Sequence, residues 1–208
     1  HKEKAVIIGN SLGSLVALTT CVYHPNLISG LIAAPLPDPT LMQSSTFKVP
    51  KIFNLINKLF IRLFFNLLPL GLIIRLILET KLIEIGIQFA YCRSIKSDIE
   101  LKRIIKTPAK RKNASKALKA MCIGMGTRKT CYTAPYLLKK LEQTNTRPAF
   151  LLIWGREDRL VPLIIGKRLI HSYDWIKLFI LENTGHCPHD ESPEEFNQYV
   201  LNWLKLNL

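Results

Sequence analysis

The sequence predicts an α/β fold: a parallel sheet flanked by helices and interrupted once by a helical insertion. Three observations carry that prediction. Apolar runs at residues 5–8, 27–33, 151–154 and 176–181, interrupted only by Ser29, Gly30 and Lys177, have the hydrophobic character of strands in a buried parallel sheet. Helical patterns alternate with these runs, as parallel strands require. The middle of the chain also differs in charge, with 21 Lys+Arg against 5 Asp+Glu in residues 48–147 and 8 against 10 in the two flanks. The net charge of +14 over 208 residues therefore belongs to the insertion. Segment boundaries follow at 1–47, 48–147 and 148–208.

The first apolar run, Ala5-Val6-Ile7-Ile8, leads into Gly9-Asn10-Ser11-Leu12-Gly13 and a helical pattern over residues 12–24, stopped at Pro25. A serine on a sharp strand-to-helix turn is a nucleophile elbow. Its backbone is strained, and glycines two positions away on each side let strand and helix approach closely. A serine hydroxyl is a weak nucleophile by itself, so the motif calls for a base and an acid that orients it. A second strand follows, and Pro35, Pro37 and Pro39 then close this half of the core.

The insertion is helical in pattern. Phe53, Ile56, Phe60, Leu63 and Phe64 recur at three-to-four spacing over residues 51–65, the mark of an amphipathic helix. Pro69 and Gly71 interrupt it, and a second helix is expected over residues 73–91. The longest uncharged run in this segment, residues 63–74, falls short of the roughly 20 residues a membrane span needs. The segment reads as a cap with a lysine-rich face and an apolar side suited to a lipid-like substrate. Its basic side suits peripheral contact with an anionic membrane surface. Lys102 to Lys119 are basic, but no aromatic side chains interleave them for base stacking, so no nucleic-acid partner is expected.

In the last segment, Leu151-Leu152-Ile153-Trp154 reads as a buried strand, and Gly155-Arg156-Glu157-Asp158 as the turn after it. Asp158 falls past the carboxyl end of the strand, where open α/β sheets place functional groups, and Glu157 is its nearest competitor. A new helix begins near Pro162. The next strand, residues 176–181, ends in a loop that holds Gly185-His186-Cys187-Pro188-His189-Asp190-Glu191. His186 follows the glycine and suits a general base, an imidazole oriented by a carboxylate. His189, with Asp190 and Glu191, reads instead as the start of the closing helix. Ser11, Asp158 and His186 thus stand in the chain order Ser, Asp, His, each after its own strand.

These three strings resemble cap-bearing α/β-hydrolases of cyanobacteria and plastids, and the last resembles the pheophytinase-like branch, whose best-known members cleave a phytyl ester. The likeness covers roughly the first 40 and last 60 residues, with the middle matching only as a helical insertion. It implies a serine hydrolase acting on a hydrophobic ester. Ser11 would be the nucleophile, Asp158 the acid, His186 the base and the Leu12 amide an oxyanion donor. Gly9 and Gly13 would be the elbow glycines. The expected compartment is plastid or cytoplasm. Acyl transfer by the same triad, and an inactive fragment that works as a membrane-surface or partner-binding module, are the alternatives.

One departure accompanies the likeness. The elbow strand starts within a few residues of His1, whereas the family's sheet carries further strands before it, with the loop that gives a second oxyanion amide. The chain is therefore expected to be the C-terminal part of an α/β-hydrolase sheet with an inserted cap, carrying one of the two oxyanion donors. The five cysteines (Cys21, Cys92, Cys122, Cys131 and Cys187) form no Cys-x-x-Cys pair and read as free thiols. No residue spacing suggests a metal site and no phosphate-binding loop is present, so no cofactor is expected.

Overall fold

The computed structural model describes residues 4–42, 51–145 and 147–207. The segment boundary expected at Lys48 lies outside the described residues. Four parallel strands form one sheet in the order β1 (Ala5–Asn10), β2 (Ile28–Ala34), β3 (Ala149–Gly155) and β4 (Ile176–Leu181). Helix α1 (Leu12–Tyr23) joins β1 to β2 and packs on both. The chain between β2 and β3 carries α2 (Lys51–Leu67), α3 (Leu70–Glu79), α4 (Leu82–Ala90), α5 (Ile99–Ala109), α6 (Ala114–Thr127) and α7 (Ala134–Glu142). Helix α8 (Ile164–Ser172) joins β3 to β4, and the short α9 (Pro188–Glu191) and long α10 (Pro193–Asn207) close the chain. All four strands run where the apolar sequence runs placed them.

Two compact units result. The first holds residues 1–43, 88–94 and 130–208, and the second residues 44–87 and 95–129. Helix α7, which the charge map grouped with the insertion, belongs to the first unit. Its buried Leu137, Leu138 and Leu141 explain why.

The first unit is built on β2 and β3, whose residues are buried nearly throughout. One sheet face presents Ile32, Ala34, Leu151, Ile153 and Leu181 to Phe196, Val200 and Trp203 of α10. On the other face Trp154 lies against Gly166 of α8 and donates Nε1–H to the Val161 carbonyl at 2.8 Å. The proline-rich exit from β2 is fixed by Asp38, a carboxylate only 1% exposed. It accepts from the Thr40 amide and hydroxyl (2.9 and 2.7 Å) and from the Ala134 amide at the start of α7 (2.6 Å). A helix N-terminus offers unpaired N–H groups and a positive dipole end, which suits this buried carboxylate.

In the second unit, α2 packs on α6, and α3 packs on α5 and α6. The single helix expected over residues 73–91 is two helices, broken at Thr80, whose backbone is extended (φ −116°, ψ 174°). The Thr80 hydroxyl accepts from the Leu82 amide at 3.4 Å, so a side chain competes with the helix for a backbone donor. Gly71, read as part of a break, lies within the first turn of α3. Among the described residues no single helix is long and apolar enough to cross a membrane.

Trp154 joins complete burial to a satisfied indole N–H. Trp154→Ala should cost about 3–5 kcal/mol of unfolding free energy in urea titration. A loss below about 1 kcal/mol would show that this face of the sheet is not the core described.

Candidate functional site

Because the strands are parallel, their carboxyl ends lie at one edge of the sheet, and Ser11, Asp158 and His186 follow β1, β3 and β4 there. Ser11 has φ 51° and ψ −123°, a backbone conformation that L-residues with side chains seldom adopt. The turn is tied down on both sides. The Ser11 amide donates to the Ala34 carbonyl at 3.2 Å, and the Ser14 amide donates to the Ser11 carbonyl at 2.8 Å. The buried Ser14 hydroxyl donates to the Gly9 carbonyl (2.6 Å) and accepts from the Ala34 amide (3.2 Å). Leu12 is the first residue of α1, where an N–H has no partner inside the helix.

The two glycines are not equivalent. A Cβ on Gly9 would stand 2.6 Å from backbone atoms of Gly13 and Ser14, so no side chain fits. A Cβ on Gly13 would meet nothing within 4 Å. The expectation that both flanking glycines are sterically required is corrected: only the strand-side residue faces the first turn of the helix.

Asp158 and His186 are brought together. His186 Nδ1 lies 2.9 Å from Asp158 Oδ2, with both residues buried. Asp158 Oδ1 accepts from the Leu160 and Val161 amides, each at 2.9 Å. One carboxylate oxygen is held by two backbone donors, and the other is left to the imidazole. Engaging Nδ1 this way leaves Nε2 as the ring nitrogen for proton transfer. Glu157 is committed elsewhere, its carboxylate accepting from the Thr184 amide at 2.9 Å. Of the two acids, Asp158 is the one that faces the ring.

Close approach of two loops makes this pairing reachable. A Cβ on Gly155 would lie 2.1 Å from the Gly185 carbonyl oxygen and 2.3 Å from that of Thr184. The chain after β4 is then clamped from several sides. The His186 amide donates to the Ala90 carbonyl at 2.7 Å. The carboxylate of Glu191 accepts from the Gly185 amide (2.8 Å), the Cys92 amide (2.6 Å) and the Arg93 amide (3.2 Å). The Asn10 side-chain amide donates to the Ala34 carbonyl and, at 3.3 Å, to the His186 carbonyl, linking the elbow to the histidine loop. Ser11 Oγ makes no hydrogen bond with His186 among the described residues, and in unliganded sites such contacts are often long and tighten only around substrate.

Asn10 and Glu191 are the residues that sequence reading missed. Glu191 was read as part of a helix start, and its partners at residues 92 and 93 are nearly a hundred positions away. His189 faces the ring of Phe196 (centroids 6.1 Å apart). Cys187 is the N-cap of α9, and burial raises its thiol above the ordinary range, which disfavours thiolate chemistry.

A strand–serine–helix turn set beside a buried Asp–His pair, on parallel strands flanked by helices, defines the α/β-hydrolase class of fold. The profile of the alpha/beta hydrolase family matches residues 1–199, and the chain belongs to that family. It is 26% identical to a 2-hydroxy-6-oxononadienedioate/2-hydroxy-6-oxononatrienedioate hydrolase from a Pseudomonas species, over 97% of this chain and 63% of the relative. It is 42% identical to an uncharacterized hydrolase, YugF, of Bacillus subtilis, over 34% of this chain and 24% of the relative. Among solved structures it is similar to the 2-hydroxy-6-oxo-6-phenylhexa-2,4-dienoate hydrolase of Rhodococcus sp. strain RHA1 (TM-score 0.62, 17% identity, 98% of this chain and 64% of that one). It is also similar to a thermophilic esterase from Thermogutta terrifontis (TM-score 0.58, 18% identity, 99% and 66%). The chain thus spans about two thirds or less of the length of these relatives.

The glycine asymmetry yields a paired prediction. Gly9→Ala should abolish soluble, cooperatively folding protein, whereas Gly13→Ala should fold and gain about 0.5–1 kcal/mol from helix propensity. Equal tolerance of the two in thermal melts would contradict the elbow geometry.

Proposed function

We propose that the chain carries the reacting residues of a serine hydrolase that cleaves a hydrophobic carboxylic ester. The buried pairing of His186 Nδ1 with Asp158 Oδ2, at the same sheet edge as the strained Ser11, is the observation that carries this reading. Ser11 Oγ attacks the ester carbonyl while His186 Nε2 takes its proton. Asp158 holds the other ring nitrogen protonated and stabilises the imidazolium. The Leu12 amide donates to the oxyanion as the carbonyl carbon becomes tetrahedral. Collapse expels the alcohol, protonated by His186, and leaves an acyl group on Ser11. Water, activated by His186, then releases the acid. The likeness of the Gly185-to-Glu191 string to the pheophytinase-like branch favours a pigment- or lipid-like alcohol and a plastid setting.

The Pseudomonas relative, matched along nearly the whole chain, supports a second reading in which the substrate is a 2-hydroxy-6-oxo-dienoate acid. The two separate in a side-by-side assay of the full-length protein on long-chain nitrophenyl esters and on such a dienoate. Preferential turnover of the dienoate would replace the ester reading. Acyl transfer is distinguished by adding alcohol acceptors to the ester assay and analysing the products.

On the preferred substrate, Ser11→Ala should lower kcat by about four to six orders of magnitude. Asp158→Asn should lower it by about 10⁴-fold through loss of the required tautomer. Glu157→Gln keeps an acceptor for the Thr184 amide and should stay within about threefold of wild type. A severe loss in Glu157→Gln with a mild one in Asp158→Asn would move the acid role to Glu157.

A further inference from the structure

The second unit has a surface that hydrolytic chemistry in the first does not explain. Its segments, residues 44–87 and 95–129, contain 17 Lys+Arg against 4 Asp+Glu, a net of +13 within a chain of +14. Helix α2 carries two separate apolar faces. Ile61 and Phe65 are half-buried, and Ile61 meets Gly126 of α6. The face turned away from that contact is apolar as well. Ile52, Phe53, Ile56, Phe60, Leu63 and Phe64 fall within one arc at helical spacing, and each is between 48% and 65% exposed. The rings of Phe60 and Phe64 stack along it with centroids 6.1 Å apart. A helix on a water-exposed surface normally puts polar side chains opposite its packed face, and a contiguous apolar patch there marks a site of association.

The same unit also carries a cluster of cations. A cavity of about 530 Å³ between α3 and the turn joining α5 to α6 is lined by Arg75, Lys110, Arg111 and Lys112 beside Ile74 and Leu78. Glu79, which also lines it, pairs with Arg75 at 2.9 Å. Lys110, Arg111 and Lys112 stand exposed at its rim. Basic side chains above apolar ones match the layering of an acidic phospholipid, phosphate outermost and acyl chain beneath. Helix length fits binding in the interface. Helices α2 and α3 together have the length and composition of a span, but they meet at a 60° bend.

We propose that the second unit docks on anionic lipid bilayers. The apolar arc of α2 enters the interfacial layer, and Lys110, Arg111 and Lys112 bind the phosphates of acidic lipids. The observations are independent of the triad, so this inference and the hydrolase reading can fail separately.

Flotation of the full-length protein with phosphatidylcholine vesicles, made with and without phosphatidylserine, tests it. Binding is expected only to the phosphatidylserine vesicles and should be weakened by added salt. The pair Phe53→Asp/Phe60→Asp and the pair Lys110→Glu/Lys112→Glu should each reduce it about tenfold or more. Circular dichroism identifies any variant that has lost its fold, and the salt dependence reads the charge contribution without mutation. Ser11→Ala should bind as wild type does. Absence of binding to phosphatidylserine vesicles overturns the proposal, as would occur if another segment of the protein covers the arc. Equal binding to both vesicle types also overturns it. So does a dimer that Phe60→Asp dissociates in a protein that ignores vesicles, since the arc would then bind a second copy.

Discussion

The hydrogen bond between His186 and Asp158 is the interaction on which the rest of the site depends, and most of the first unit serves to make it possible. A carboxylate and an imidazole can be buried together only if each polar atom finds a partner. Asp158 meets that condition with two backbone donors on one oxygen and the imidazole on the other. The distance is set by glycine. The loops after β3 and β4 approach so closely that residue 155 has no room for a Cβ. Glu157 and Glu191 then pin the histidine loop by its backbone at Thr184 and Gly185, so the ring is delivered to the acid by main-chain contacts.

Much of this was legible in the sequence because its signals are local. β4 was read over residues 176–181, the span it occupies, because a short apolar run between turn residues has few other uses in an α/β chain. The order of serine, acid and histidine, each after its own strand, pointed to the sheet edge at which β1, β3 and β4 present the three residues. What failed to show was either long-range or set by one side chain. Glu191 reads as a helix-start acid until residues 92 and 93 arrive from elsewhere in the chain. Asn10 reads as a spacer in the elbow until its amide meets the His186 carbonyl. Thr80 breaks a helix that apolar periodicity would carry through, since periodicity does not register a hydroxyl that accepts from the backbone two residues on. The two elbow glycines look alike in sequence, and only the direction of each Cα–Cβ vector separates them.

The two units solve different physical problems. The first pairs buried polar groups at the edge of an apolar parallel sheet, whose central strands β2 and β3 expose little. The second keeps nearly the whole positive charge of the chain and holds apolar side chains outward on α2. Charge and exposed apolar surface together are costly in water unless a partner supplies the complement. Composition placed a boundary near residue 48, outside the described residues. It misplaced α7, because Lys139 and Lys140 sit on a helix whose other face is buried in the first unit.

The central claim is that Ser11 is a nucleophile activated by His186. Labelling the full-length protein with a fluorophosphonate probe, beside Ser11→Ala and His186→Ala, tests it most directly. The account predicts labelling of the wild type at Ser11 and its loss in both variants. Labelling that survives Ser11→Ala, or a wild type that folds but does not react, would contradict it.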